Sequence, residues 1–400
     1  MNGGVLKLIP LADAQRAAEF AGSRRTLERA RLPIEETTGM VLSETIVSNS
    51  DIPNEHRAAL DGFATCFDFL SQRDRDGLVR LRLSADAGEG PWAVSVVTGQ
   101  VLPRGSDLVV RREHARLVGE SLVISGSHER WENVERRGAF YQRGETIIDA
   151  GEVLRPAHIA LLSEQGLRWV EVFRHPRCEV ISIGDELLAE SYRSIPNDFA
   201  HVIASYLRQL SCEVSSVKVV PDDVEELLEA VDAAMAGNDL VVTLGRSSVG
   251  RNDLVPKAYS EMEGAEVLFH GVRIHPGKPT GMVLIDDKCW LILPGSLTAA
   301  IAGLHLIGVP YLRSLMRVKS PLPGLVAQID GDMHGRKGIS SVYFASLSLE
   351  GGRLLARTLP KGVNNLYTAS KAEAYAVLQP DETRRSGESV GLWFLGRLTY

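Results

Sequence analysis

The sequence predicts a multidomain protein with a parallel α/β domain at its centre and β domains on both sides of it. Runs of buried β-forming residues end at glycine three times, at Gly184, Gly245 and Gly295, and polar residues and a helical pattern follow each glycine. Strands and helices alternate from residue 176 to residue 317, which is typical of right-handed βαβ units. Because such folds place their sites where strands end and helices begin, these three ends predict an anion site.

Two helical segments predict a domain made from separate parts of the chain. Residues 11–31 have a helical pattern, and residues 144–166 return to one, with Pro156 in its first turn. We expect the two helices to pack together in a discontinuous helical domain of residues 1–47 and 147–175.

Three further domains are predicted from the remaining sequence. Residues 48–146 consist of short β-rich runs broken by turn residues, which predicts an inserted β domain formed by a small barrel or a curled antiparallel sheet. The α/β domain occupies residues 176–320. Strand-like runs in residues 321–400 predict a C-terminal β domain of barrel-like form.

The composition limits the class of protein. The chain has 400 residues, 44% of them hydrophobic, which is enough for several domain cores. Its formal net charge of -7 provides no basic stripe that could release counterions from nucleic acid, so we expect no nucleic-acid partner. A bound anion would then be held locally, by backbone NH groups and a few cations.

Cysteine usage and hydropathy predict a cytoplasmic protein. Cys66, Cys178, Cys212 and Cys289 form no CxxC pair and have no histidine at zinc spacing, so we expect reduced thiols. No run approaches the roughly 18 to 20 consecutive apolar residues of a membrane span. The N-terminal residues lack a basic region followed by an apolar core, so we also expect no secretory signal.

Acidic residues follow two of the predicted strands. Asp185 and Glu186 come directly after Gly184, where they either bind a metal or a ligand hydroxyl or start a helix whose dipole favours them. Asp222 and Asp223 follow the next strand, where either residue could cap the helix that begins there. The sequence leaves both pairs of alternatives open.

The segment GRSSVGRND is similar to a phosphate-binding loop that lacks a Walker lysine. Gly245 and Gly250 permit close approach of the backbone, and Ser247 and Ser248 offer hydroxyl and NH groups. Asp253 stands where the next helix is predicted to begin. We therefore predict that this segment binds an anion.

Two more segments can supply groups for an anion. In HPGKPTG, Lys278 lies between prolines that restrict the chain, so it is either poised for an anion or exposed in a turn. In LPGS, Ser296 is a predicted N-cap, and the NH groups of the helix after it would attract an anion. Asp61 with Gly62, and the segment around Thr98, are weak signals when taken alone.

Eight segments of the chain occur in a characteristic order: PNEHRAALDGFA, TGQVLPRGSDLVVRRE, RGETIIDAGEVL, SIGDEL, VVPDD, LGRSSVGRND, HPGKPTG and LPGS. Single segments are weak evidence, whereas eight in register are strong. As an ordered set they resemble the MoeA-type molybdopterin molybdenumtransferase family, which is related to the E domain of gephyrin.

The resemblance implies an enzyme of molybdenum cofactor biosynthesis. Its substrates would be molybdate and adenylylated molybdopterin, and it would cleave the adenylyl pyrophosphate, release AMP and insert the metal. The α/β domain of residues 176–320 would be MogA-like and would bind molybdopterin. The resemblance further implies Mg²⁺ as cofactor and a homodimer, with other cofactor-biosynthesis proteins or a recipient molybdoenzyme as further partners.

The resemblance also assigns site residues. Asp61, Glu186, Asp222 and Asp253 would be catalytic, and Glu186 and Asp253 would hold the metal, since Mg²⁺ prefers one or two carboxylates together with phosphate oxygens. The residues assigned to substrate binding are Thr98, Gly245, Arg246, Ser247, Ser248, Gly250, His275, Lys278, Pro294, Gly295 and Ser296.

The chain departs from the family pattern at four of these segments. Arg246 replaces a glycine, Thr146 an acid, His275 a lysine, and Ser296 with Leu297 an Asn-Pro pair. Loss of the lysine and gain of the arginine could compensate each other, although arginine donates in a fork and lysine does not. The alternatives are a non-catalytic paralogue that binds a pterin or nucleotide ligand or a partner enzyme, and an insertase for tungsten or an altered pterin.

Overall fold

The computed structural model describes residues 7–72, 75, 78–188, 199–247, 254–362 and 365–396. The chain divides into two compact units. The first unit consists of Met1–Ser43, Gly151–Arg155 and Trp169–Tyr400, and the second of Glu44–Ala150 and Pro156–Arg168.

The described helices are α1 (Leu11–Arg24), α2 (Pro156–Glu164), α3 (Asp185–Leu188), α4 (Ala200–Gln209), α5 (Val224–Gly237), α6 (Leu254–Glu261), α7 (Leu297–Gly303), α8 (Val309–Leu315) and α9 (Leu366–Lys371). The described strands are β1 (Arg29–Pro33), β2 (Val41–Leu42), β3 (Ile46–Val47), β4 (Arg57–Ala58), β5 (Gly62–Thr65), β6 (Val79–Ser84), β7 (Trp92–Val96), β8 (Leu108–Arg111), β9 (Ala115–Val118), β10 (Ser121–Ile124), β11 (Val134–Glu135), β12 (Thr146–Ile148), β13 (Trp169–Phe173), β14 (Arg177–Ile183), β15 (Glu213–Val220), β16 (Leu240–Leu244), β17 (Ala265–His270), β18 (Ile274–His275), β19 (Gly281–Ile285), β20 (Lys288–Leu293), β21 (Gly324–Asp330), β22 (Met333–His334), β23 (Ser340–Glu350), β24 (Arg353–Thr358), β25 (Ala374–Leu378), β26 (Thr383–Arg384) and β27 (Ser389–Phe394).

The first unit contains the predicted α/β sheet, with strand order β15-β14-β16-β20-β19-β17. The strands β15, β14, β16 and β20 are parallel, which confirms the expected architecture. The strand β19 is antiparallel to both of its neighbours, β20 and β17, which the strand-helix rhythm did not predict. The two-residue turn Asp286-Asp287, where both residues have positive φ, joins β19 to β20, and a hairpin this short can join only antiparallel strands.

Both faces of this sheet are buried. Successive residues point to opposite faces, so Val180 and Val242 join one core and Ile181 and Val241 join the other. The helices α1, α4, α7 and α8 contribute to the first core, and α5 and α6 to the second. Burial on both faces explains why the strands are almost continuously hydrophobic in the sequence.

The N-terminal helix is shorter than predicted and has a different neighbour. It ends at Arg24 rather than near residue 31, and β1 follows and pairs with β13. The helix α1 packs against α8 in the first unit, whereas α2 belongs to the second unit. The residues after Arg24 form β1, which pairs with the distant strand β13. Helical periodicity in the sequence does not reveal such a long-range pair, so the predicted helix was too long.

The C-terminal strands close into a five-stranded barrel, as the predicted barrel-like form requires. The pairs β23–β24, β24–β21, β21–β27, β27–β25 and β25–β23 complete the ring. The strand β18 pairs in parallel with β23, with Ile274 opposite Ser340. Since β18 includes His275, one of the predicted site segments is joined to the barrel.

The second unit is built mainly from antiparallel strands. Its largest sheet has the order β8-β5-β7-β6-β10-β9, in which only β6 and β7 are parallel among the described strands.

The chain contains free cysteines, of which Cys178, Cys212 and Cys289 are buried. Within the described residues, the helices are too short or too polar to span a bilayer.

Gly22 tests the packing of α1 on α8. A Cβ atom there would lie 2.4 Å from the carbonyl oxygen of Tyr311 and 2.9 Å from the backbone nitrogen of Leu315. We expect Gly22→Ala to lower the free energy of unfolding by about 1–3 kcal/mol, because the helices must separate. Gly237→Ala is the matched control, since a Cβ atom at this helical glycine meets no heavy atom within 4 Å. Urea unfolding followed by circular dichroism compares the two, and equal effects would contradict the packing argument.

His305 makes the stability of the first unit depend on pH. It lies in the π-helical turn Leu304–Gly308, where Nδ1 donates to the carbonyl of Ile301 and Nε2 accepts from the NH of Gly396, both at 2.9 Å. Burial lowers the pKa of His305 to about 4 from 6.5. In the unfolded chain His305 is therefore protonated below pH 6.5, whereas in the folded chain it becomes protonated only near pH 4.

We expect the free energy of unfolding to fall by about 3 kcal/mol through this residue as the pH decreases from 6.5 to 4. Urea titrations at several pH values should show a shallower dependence for His305→Gln, which cannot take up the proton. An unchanged slope in this variant would mean that other groups cause the pH dependence.

Candidate functional site

The predicted site segments follow four neighbouring strands. The strands β15, β14, β16 and β20 lie side by side and in parallel, so their carboxyl ends share one edge of the sheet. The NH of Gly184 donates to the carbonyl of Val220 at 3.0 Å, and that of Gly245 to the carbonyl of Leu293 at 3.3 Å. The three glycine-ended strands are therefore adjacent, as the sequence predicted.

Two of the glycines permit a close approach of three chain segments. Gly245 has φ 96°, and a Cβ atom there would lie 2.9 Å from the carbonyl oxygen of Ile183. A Cβ atom at Gly295 would lie 3.2 Å from the Cα atom of Gly245. A side chain at Gly245 would therefore both strain its backbone and separate the strand ends.

Arg246 joins two of the predicted catalytic acids. Its Nε donates to Asp222 Oδ1 at 2.6 Å, and its Nη2 donates to Glu186 Oε2 at 2.9 Å and also to Asp222 Oδ2. We call Glu186, Asp222 and Arg246 the carboxylate–arginine cluster. The sequence analysis assigned Arg246 to the substrate, whereas here its guanidinium binds protein carboxylates.

The cluster has a fixed charge distribution. The hydrogen bond from Arg246 to Asp222 is the main cause that raises the pKa of the guanidinium above its usual value. The side chains remain partly exposed, Arg246 by 39% and Glu186 by 49%. An anion in solution can therefore still reach the cluster.

The structure shows which residue of the second acidic pair caps the following helix. Asp223 caps α5, since its Oδ1 accepts from the NH groups of Glu225 at 2.9 Å and Glu226 at 3.0 Å. Asp222 is thereby left to bind Arg246. Asp185 Oδ1 accepts from the NH of Asp222 at 2.9 Å and so connects the loops after β14 and β15.

Ser247 is held by a histidine that the sequence analysis missed. Its carbonyl accepts from His270 Nε2 at 2.7 Å, so Nε2 carries the proton, and Tyr259 Oη lies 3.0 Å from Nδ1. The Ser247 residue is buried. A single histidine at the end of β17 gives no motif, so no sequence signal was available. Ser248, Gly250 and Asp253 lie outside the described residues.

His275, the last residue of β18, and Pro276 after it contribute to a pocket of about 260 Å³. His275 and Ser296 line it together with Tyr343 and Lys361, whose Nζ lies 3.8 Å from the centre of the Tyr343 ring. Burial lowers the pKa of His275, and the charges of Arg336 and Lys361 act in the same direction. His275 is thus held neutral in a pocket where the family pattern has a lysine.

The other predicted groups of this region are exposed or half-buried. The Lys278 side chain is exposed, and the carbonyl of Lys278 accepts from the NH of Val272 at 2.9 Å. Ser296 is the N-cap residue of α7, as predicted, but its hydroxyl makes no capping hydrogen bond with the described residues. It follows Pro294 and Gly295 directly.

In the second unit, Asp61 and Thr98 lie together. Asp61 Oδ1 accepts from the NH of Thr98 at 2.8 Å and from its hydroxyl at 2.9 Å. Asp61 precedes β5 and Thr98 follows β7, and these strands pair with Gly62 opposite Val96. The backbone NH of Thr98, followed by its hydroxyl, lowers the pKa of Asp61. Thr146, at the substituted acid position, is exposed in β12.

Comparisons with known proteins agree with the resemblance. The model of the MoeA N-terminal region (domain I and II) matches residues 9–166, and the model of the probable molybdopterin binding domain matches residues 179–314. The chain is a MoeA-type protein. Molybdopterin molybdenumtransferase of Staphylococcus epidermidis is 27% identical over 335 residues, and that of Staphylococcus aureus 26%, each match covering 80% of both chains.

Solved structures show that the MoeA-type fold extends over the chain. The crystal structure of the molybdopterin biosynthesis moeA protein from Pyrococcus horikoshii OT3 has a TM-score of 0.81 and 22% identity, and the match covers 97% of this chain and 100% of that one. A second structure of the P. horikoshii protein has a TM-score of 0.74 and 25% identity, with coverage of 97% and 99%.

The described acids do not fit a divalent metal. Glu186, the described member of the predicted metal pair, is bound to Arg246, as is Asp222. Among the residues that the structure describes, His, Cys, Asp and Glu form no group of three or more that could hold a metal ion. A cation at these carboxylates would face the guanidinium at close range.

Thr98 tests the Asp61 contact. We expect Thr98→Val to raise the pKa of Asp61 while leaving it below its usual value, because the hydroxyl is lost and the NH remains. A carbon-detected NMR titration of the carboxylate measures it. Thr45→Val is the control, since Thr45 accepts from the NH of Ala150 in the same unit. An unchanged midpoint in Thr98→Val would exclude the hydroxyl as a cause.

Proposed function

We propose that this MoeA-type chain is a transferase of molybdenum cofactor biosynthesis that inserts molybdenum into molybdopterin. The observation that carries the proposal is that four of the predicted family segments, SIGDEL, VVPDD, LGRSSVGRND and LPGS, begin at the carboxyl edge of the β15-β14-β16-β20 strands. The related molybdopterin molybdenumtransferases support it. We further propose molybdate and adenylylated molybdopterin as substrates and AMP as the leaving product.

The exposed cations and backbone NH groups would bind the anionic substrates. Lys278 is exposed, and Ser296 stands at the start of α7 and lines the pocket beside His275. The tight approach of Gly245 and Gly295 leaves backbone on the surface of the site rather than side chains. These groups would hold charge that develops on a phosphate during cleavage.

The finer assignments rest on the family resemblance. We propose a homodimer in the cytoplasm, the four-domain division given above, and roles in catalysis for Asp61, Glu186, Asp222 and Asp253. Because the described acids do not fit Mg²⁺, no step is assigned to that ion.

A second candidate function follows from the carboxylate–arginine cluster. Since Arg246 already binds two acids assigned to catalysis, the chain could instead hold a pterin or nucleotide ligand, or a partner enzyme, without turnover. An insertase that prefers tungstate or an altered pterin is a further variant of the proposal.

The proposal is tested by incubating the purified chain with adenylylated molybdopterin and molybdate. We expect release of AMP and molybdenum bound to the pterin product, measured by chromatography and elemental analysis. Lys278→Ala should reduce the rate about tenfold or more, because a cation that stabilises the transition state is removed. Lys337→Ala, which removes another exposed lysine, should retain the rate.

Other outcomes separate the alternatives. Tight binding of the pterin substrate in calorimetry without AMP or molybdenum incorporation would support the non-catalytic paralogue and reject the insertase. A preference for tungstate when both oxyanions compete would identify the tungsten variant.

A further inference from the structure

The carboxylate–arginine cluster has the arrangement of a cation site that is already filled. Two carboxylates, Glu186 in α3 after β14 and Asp222 in the loop after β15, converge on the Arg246 guanidinium in the loop after β16. Arg246 Nε and Nη2 lie 2.6 Å and 2.9 Å from carboxylate oxygens of Asp222 and Glu186. The positive charge thus lies where these two acids could otherwise have shared a metal ion.

The backbone on both sides of Arg246 is fixed. Gly245 is confined between the carbonyl of Ile183 and Gly295, and the carbonyl of Ser247 is bound to His270 Nε2. Arg246 itself has φ 46°, a conformation that favours glycine over a long side chain. The two fixed neighbours hold the guanidinium toward the acids, and the ion pairs offset the strain of its backbone.

We infer that Arg246 is a built-in cation that takes the place of a divalent metal at Glu186 and Asp222. Two carboxylates with one guanidinium leave a charge of about one negative unit, which attracts a divalent ion less than two free carboxylates do. The guanidinium also binds both carboxylate oxygens of Asp222 and Oε2 of Glu186, three of the four oxygens that these acids could offer a metal. As a statement about the metal requirement of the enzyme, this inference rests on the proposed insertase function. Whether Arg246 blocks metal binding at Glu186 and Asp222 can be tested without that function.

The decisive measurement is Mn²⁺ binding to the full chain in the absence of pterin and molybdate. Electron paramagnetic resonance reports free Mn²⁺. We expect Arg246→Gly to bind one additional Mn²⁺ at least about tenfold more tightly than the unmodified chain binds it, because both carboxylates are released. Glycine also suits the backbone conformation of this position.

Matched variants locate the metal. The triple change R246G/E186Q/D222N should lose the gained affinity, which places the ion at these two acids. Arg357→Ala is the charge control: Arg357 is 3.0 Å from Asp330 and 3.9 Å from Glu350, so its loss also releases two acids but should add no tight site. If Arg246→Gly does not fold, as judged by circular dichroism, Arg246→Asn removes the cation with a residue that also tolerates positive φ.

Two results would overturn the inference. One is a folded Arg246 variant that binds Mn²⁺ no better than the unmodified chain. The other is Mn²⁺ binding to the unmodified chain that Glu186→Gln or Asp222→Asn weakens, since metal and guanidinium would then share the acids. Failure of the insertase proposal appears separately, as absence of molybdenum incorporation.

Discussion

The contact of Gly245 with its neighbours is the constraint on which the candidate site depends. The backbone at Gly245 lies against the carbonyl of Ile183 on one side and against Gly295 on the other. A methyl group would separate the ends of β14, β16 and β20 and so would move every loop that follows them. The polar residues converge because the strand ends can approach each other where Gly245 and Gly295 carry no side chain.

The electrostatics at the carboxyl edge of the sheet depend on Arg246, which supplies the positive charge beside Glu186 and Asp222. A divalent metal at carboxylates depends on its concentration in solution, whereas a guanidinium attached to the chain is always present. At this position the chain thereby has the single, permanent positive charge of Arg246 in place of the double charge of a metal ion that can dissociate. The arginine fork also fixes direction, because its donors must point along the carboxylate oxygens. Glu186 and Asp222 are thus oriented before any substrate arrives.

The fold was largely predictable from sequence because its signals are local. Hydrophobic runs that end at glycine identified β14, β16 and β20, and the alternation of helices and strands gave their parallel pairing. The length of α1 and its contact with α8 were not predictable, since β1 forms only when β13, far along the chain, is available. The reversed strand β19 did carry a signal, the Asp286-Asp287 turn that joins it to β20, but aspartates alone do not reveal positive φ.

The site was predictable in its position and less so in its contacts. The resemblance indicated Glu186, Asp222 and Arg246 correctly as neighbours in one region, but residue types do not show whether an arginine binds a ligand or the protein. Whether the Arg246 guanidinium contacts a ligand or protein carboxylates depends on the distance and direction of these groups in the folded chain. His270 shows the same limit, because its role exists only through the carbonyl of Ser247.

The pairing of β18 with β23 carries a consequence for how such chains diverge. His275 stands in a strand whose hydrogen-bonding partner, around Ser341, belongs to the C-terminal barrel. A barrel that shifted its register during evolution would carry the histidine and the pocket wall with it. Exchange of the barrel alone would therefore also replace the strand that pairs with His275 and part of the wall of its pocket.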